Sequence, residues 1–186
     1  MTKADSLDLA ADAQASKAKR FTTQYVPLED RIQILVERTS DDVQVLWLTR
    51  RLLNKLVPTL LDKLVKAPVD PSVPKPKVEA VQQFTQAAAV GNLKKQKNVL
   101  PSSQEPGNHE ATLIKSVDVT VRPKSLELIF KSDVGVQKQS LEFEEAPLRQ
   151  WLSILHSRYR VAGWSEPFWP SWITSPAPAV NTERLN

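Results

Sequence analysis

The sequence contains no cysteine. That excludes disulfides, thiolate metal ligands and cysteine nucleophiles together, and it fits a reducing, cytoplasmic setting. Glycine is scarce. The four glycines, Gly91, Gly107, Gly135 and Gly163, are too scattered to build a phosphate-cradling loop, and no G-x-S-x-G elbow occurs. The two histidines, His109 and His156, have no partners at metal-ligand spacing. No run reaches the ~20 apolar residues that cross a bilayer, so no membrane insertion is expected. Met1 to Arg20 lacks the apolar segment of a secretory signal.

A dominant charge is also missing. The net charge is +4 over 186 residues. Phe21 to Asp70 carries seven basic and seven acidic residues, and Leu113 to Asn186 carries nine and eight. No segment is a strong electrostatic magnet for nucleic acid. These absences leave no catalytic, cofactor or metal motif, and the chain reads as a non-enzyme.

What is present is an apolar fraction of 41%, enough for a core, and fourteen prolines, an unusual excess over glycine. The prolines fall between periodic segments and mark linkers. Residues 1–20 are Ala-, Asp- and Lys-rich and read as a disordered tail. Phe21 to Val26 reads as a strand stopped by Pro27. In Arg31 to Glu37, Ile32, Ile34 and Val36 alternate with polar positions. After a polar turn, Val43 to Leu48 is the next strand. Thr49 is a candidate N-cap. Behind it Leu52, Leu53, Leu56, Val57, Leu60, Leu61, Leu64 and Val65 form a broad helical stripe, with a kink expected at Pro58.

Residues 67–112 read as an insert. It opens with a proline-rich, polyproline-like linker to Lys77, allows a short helix over 78–90, and is polar and disordered from Gly91 to Thr112. Order is expected to resume at Ile114. Val117, Val119 and Val121 alternate up to Pro123, then Leu126, Leu128 and Phe130, then Leu141 and Phe143. A second helix starts near Pro147, carries Leu148, Trp151, Leu152 and Leu155 inward, and stops at Gly163. Residues 164–174 hold Trp164, Phe168, Trp169 and Trp172 between Pro167 and Pro170, and read as an extended strap. Residues 175–186 read as a disordered tail.

The two ordered segments, 21–66 and 113–163, share a pattern. Leu46 and Leu48 match Leu141 and Phe143, and Leu53, Leu56, Val57 and Leu60 match Leu148, Trp151, Leu152 and Leu155, all 95 residues on. The expected fold is therefore α+β: two similar strand-strand-strand-helix halves packed into one domain around a long insert. Each half alone is too small for a secure core.

If Leu46 and Leu48 face the helix, the other side of that strand is apolar in the first half (Val43, Val45, Trp47, joined by Leu35) and polar in the second (Lys138, Ser140, Glu142). Either a partner covers the apolar face or the C-terminal segment does. The tryptophan strap likewise packs on its own domain or docks in a partner. The candidate partner-binding residues are thus Val43, Val45, Trp47, Leu35, Trp164, Phe168, Trp169 and Trp172.

The function expected from this surface is that of a protein-protein adaptor or assembly factor, with self-association as a variant. Duplicated strand-strand-strand-helix units also resemble the Whirly and PUR-type folds, whose sheets bind single strands, although those repeats have four strands against three here. The resemblance implies a second reading, single-stranded nucleic-acid binding, with Trp47 and Tyr25 stacking on bases and Arg31 and Lys138 on phosphates. Glu144 and Glu145 suit the positive end of a helix dipole better than acid-base work. Arg50, Arg51 and Lys55 read as a solvated helix face.

Overall fold

In the computed structural model, residues 20–37, 43–65, 75–95, 111–133 and 139–175 are described, with side chains in the second helix limited to 77–91. Residues 1–19, 38–42, 66–74, 96–110, 134–138 and 176–186 lie outside the described residues.

The fold is α+β. The first segment gives β1 (Arg20–Val26), β2 (Arg31–Glu37), β3 (Val43–Leu48) and α1 (Arg50–Val65). β2 shows the expected alternation, with Ile32, Ile34 and Val36 fully buried. Thr49 caps α1: its Oγ1 accepts from the Leu52 N–H at 3.2 Å and its carbonyl from Leu53 at 3.0 Å. α1 runs through Pro58 and buries Leu53, Leu56, Val57, Leu60, Leu61 and Leu64.

Two expectations for the insert need correction. The second helix, α2, is Lys75–Lys95, not 78–90. Pro76 is tolerated because a first-turn N–H has no intrahelical partner anyway. Gly91 does not stop the helix because it lacks the left-handed φ of a helix-ending glycine, which among described glycines only Gly163 adopts. The second correction is β4 (Ala111–Leu113), which falls partly in the stretch expected to be disordered. Its order comes from a remote partner. It pairs in parallel with β3, Val45 with Ala111 and Trp47 with Leu113, and no local pattern encodes such a pairing.

β4 leads almost directly into β5 (Ser116–Val121), followed by β6 (Leu126–Lys131), β7 (Gln139–Phe143) and α3 (Glu145–Val161). The sheets are ordered β1-β2-β3-β4 and β5-β6-β7. They share one continuous extended segment. The Ile114 N–H bonds to the Trp47 carbonyl of β3 at 3.0 Å, and the next N–H, of Lys115, bonds to the Lys131 carbonyl of β6 at 2.9 Å. Successive amides of a strand point to opposite sides, so the chain leaves one sheet and joins the other within two residues.

The outermost strands, β1 and β7, meet under α3. Phe21 of β1 packs edge-on to Phe143 of β7 at 5.4 Å, and Trp151 of α3 stacks on Phe143 at 5.1 Å. Trp151 Nε1 donates to Thr23 Oγ1 at 3.0 Å, and Arg158 Nε to the Thr23 carbonyl at 3.2 Å. Thus α3 closes the gap between the sheets and covers the edge of β1, which blunts strand addition there. One cluster runs through both segments, from Ile32, Leu46 and Leu60 to Leu128, Phe143, Trp151 and Leu155.

α3 ends as a Schellman motif. The Gly163 N–H bonds to the Arg160 carbonyl and the Trp164 N–H to the Tyr159 carbonyl, with Gly163 at φ +67°. The strap is not extended throughout, contrary to expectation: it turns at Pro167 and Phe168 and closes on a short helix, α4 (Ser171–Thr174).

Candidate interaction surface

The strand register places Leu35, Val43, Val45 and Trp47 on one outward face. Leu35 lies opposite Val45, Val45 beside Ala111, and Trp47 between Gln33 and Leu113. On the inward face of the same strands are Ile32, Ile34, Val36, Leu46 and Leu48, all inaccessible to solvent. The outward residues are graded: Val45 is buried among its neighbours, Leu35, Val43 and Trp47 are half-buried, and Leu113 is 42% exposed. β4 therefore adds Ala111 and Leu113 to the expected patch. Sequence reasoning missed both because only the parallel pairing puts them beside Val45 and Trp47.

The matching face of the second sheet is polar. Glu127, Ser140 and Glu142 lie outward, with Ile129 half-buried between them. Asp118 pairs with Lys131 there, and Ser125 Oγ donates to Glu142 at 2.6 Å. Lys138 lies outside the described residues.

The strap packs on its own fold. Trp164 and Trp172 are buried, and Phe168 and Trp169 are half-buried against the core. Tyr159 is the hub, with Trp164 edge-on at 5.2 Å, Trp169 at 5.3 Å and Phe168 at 6.2 Å. Trp164 and Trp172 therefore offer little to a partner, and the strap's aromatics do not join the sheet-face residues in one surface.

Two polar anchors pin the strap. Glu166 accepts from Arg50 Nε at 2.9 Å and Arg50 Nη2 at 2.7 Å, and from Asn54 Nδ2 at 2.7 Å. Asn54 Oδ1 in turn accepts from the Tyr159 hydroxyl at 2.9 Å. Arg50 and, next, Asn54 hold the Glu166 carboxyl below its ordinary pKa, and burial, then the Glu166 charge, pushes Tyr159 up. Arg50 thus serves the fold and is not part of a purely solvated face. The second anchor is Asp30, at the left-handed φ of 46° in the β1–β2 turn. It accepts from Tyr25 at 2.8 Å and from Trp164 Nε1 at 3.1 Å.

This arrangement separates the stacking residues of the nucleic-acid reading. Tyr25 lies on the inward side, paired with Ile32 and packed on Trp164 at 5.6 Å, whereas Trp47 is on the outward side. His156 is half-buried against Trp169, and burial, then Arg160, lowers its pKa. Glu145 pairs with Arg149, which is 2% exposed. Among the described residues no cluster of three or more His, Cys, Asp or Glu side chains is placed to hold a metal, and no helix is long and apolar enough to cross a membrane. A cleft between the end of α1 and the start of α3, lined by Leu64, Leu126, Phe143 and Leu148, measures about 200 Å³, below the ~300–1,000 Å³ of usual small-molecule sites.

Compared with known proteins, the chain matches no family model, no curated protein and no solved structure. The resemblance to the Whirly and PUR-type folds is therefore one of element order alone.

Proposed function

We propose that this chain is a non-catalytic, cytoplasmic adaptor or assembly protein that binds another protein through the outer face of its first sheet. The observation that carries the reading is the apolar strip Leu35, Val43, Val45, Trp47 and Leu113, continuous across three strands and matched by a polar face on the second sheet. Aromatic groups set in an apolar strip on a rigid sheet are efficient anchors, because little side-chain entropy is lost on docking. The strap's contribution is structural: it holds Tyr159 and α1, and so keeps the sheet rigid behind the strip.

We further infer that the two strand-strand-strand-helix segments are copies of one unit. Every pair matched at the 95-residue offset is buried in both segments, and the three antiparallel strands of each segment follow the same order, β4 being added to the first sheet. The asymmetry that confines an apolar outer face to one copy is what the function uses.

The test is a comparison of Trp47→Glu with Glu142→Gln, each on a tagged full chain used as bait in native extract. Partners recovered by wild type and by Glu142→Gln, and lost with Trp47→Glu at unchanged circular dichroism, support the reading. Recovery that is indifferent to Trp47→Glu overturns it. Sedimentation of the wild type separates self-association from binding of a different protein.

A further inference from the structure

α2 is attached to the rest of the fold by its polar side. Val81 and Phe84 are 55% and 75% exposed, while the buried side chains among its described residues are Gln82, Gln86 and Ala89. Phe84 and Val81 stand one turn apart on the solvent side, and the glutamines one turn apart on the side facing α3. α1 is built the other way round, with six buried apolar residues against the core. A helix normally turns its apolar stripe inward.

Hydrogen bonds tie this polar side of α2 to the fold. Gln82 Oε1 accepts from Arg149 Nη2 at 2.5 Å, and Gln86 Nε2 donates to the Arg149 carbonyl at 3.1 Å. Gln150 Nε2 donates to the Ala89 carbonyl at 2.9 Å, Gln83 Nε2 to the Ser175 carbonyl at 3.4 Å, and Ser171 Oγ to Glu79. Below them Arg149 is sealed from solvent, paired with Glu145 at 2.9 Å and lying over the Trp172 ring at 5.3 Å. Its Nη1 and the Oε1 of Gln86 are both buried without a hydrogen-bond partner.

Each of these bonds replaces one that water would make, so their net gain is small. The two orphaned atoms count against the closed state, because water would satisfy both once the interface opened. Burying a guanidinium adds a desolvation penalty that a single partly exposed carboxylate offsets poorly. The apolar surface that opposes these terms is, on α2, buried Ala89 with half-buried Val78, Ala87 and Val90, against the six buried apolar residues of α1, together with the Trp172 ring beneath.

We propose that α2 is a releasable cover. It lifts from α3 and α4 as a unit while the two sheets, α1 and α3 stay folded, and lifting bares Arg149, Gln150 and Trp172. This device stands apart from the sheet face proposed above, because α2 shares none of that face's residues.

Hydrogen exchange on the full-length wild type tests it. Amides in the middle turns of α2, 80–90, should exchange at least about tenfold faster than the buried amides of α1 and α3, the mark of sub-global opening. Equal protection in all three helices overturns the proposal. A second measurement uses Gln82→Leu with Arg149→Met, which replaces the polar pair by apolar groups of similar length. That variant should slow α2 exchange toward the α3 rate. An α2 rate that is unchanged, or that falls only in step with α1 and α3, overturns it as well.

Discussion

Glu166 shows what one carboxylate does for a segment that cannot form regular structure. Pro167 and Pro170 deny the strap a continuous ladder, so it is held by side chains. The bonds from Arg50 and Asn54 favour the charged form of Glu166. A carboxyl depressed in the folded state leaves the unfolded state binding more protons, so stability rises with pH through that window. The wild type should lose this contribution as pH falls below the ordinary value of 4.5, and Glu166→Gln should show a shallower acid limb in thermal melts from pH 3 to 7. Tyr159 has the opposite sign. Its pKa is raised, so its contribution is complete below pH 10 and is lost as pH rises above it. Tyr159→Phe should flatten the alkaline limb. It should also destabilise by about 1–3 kcal/mol, because Asn54 Oδ1 loses its donor in a part-buried site; urea titration measures this.

Among the elements, α3 carries the most. Its N-terminal half closes the gap between β1 and β7 and its C-terminal turn launches the strap. Gly163 allows both, since at φ +67° an L side chain is strained even though a Cβ there would meet nothing within 4 Å. Gly163→Ala should therefore lower stability by about 1 kcal/mol through backbone conformation alone, with urea m-value unchanged. Strand parity gives a sharper contrast in β6. Leu128 is fully buried and its neighbour Ile129 is half-buried on the outer face. Leu128→Ala should cost about 2–5 kcal/mol, and Ile129→Ala far less, by chemical denaturation of the two variants side by side.

At the scale of the molecule, the two sheets behave as one body because they share the strand through Ile114 and Lys115 and are clamped at the far side by Trp151. Trp151→Ala removes a fully buried indole, its bond to Thr23 and its stack on Phe143. It should destabilise by about 3–5 kcal/mol and raise amide exchange in β1 and β7 together, although 117 residues separate Val26 from Phe143. Exchange confined to β7 would mean that α3 does not join the sheets as the packing implies.

How much of this was legible beforehand follows a physical line. Binary patterning determined β2, β6, the apolar stripe of α1 and the inward residues of α3, because burial at a period of two or near four leaves its mark on adjacent residues. The Thr49 cap and the Gly163 stop were legible for the same reason: each answers a local backbone demand. The outward apolar strip was visible as the unused side of β3. What the sequence could not give was everything set by a remote partner. β4 has a short, unremarkable pattern and exists because β3 offers it a parallel edge. α2 reads as a poor amphipathic helix because its buried side is made of glutamines, whose place is fixed by Arg149 across the interface. Arg149 itself, an ordinary surface residue by type, is buried where α2 and Trp172 come together over it. The strap's choice of its own core was decided by Asp30, Arg50 and Asn54, which reach Trp164 and Glu166 from distant parts of the chain. Local periodicity encodes which residues face inward; only the closed tertiary structure decides which inward-facing groups meet, and which apolar face is left outside.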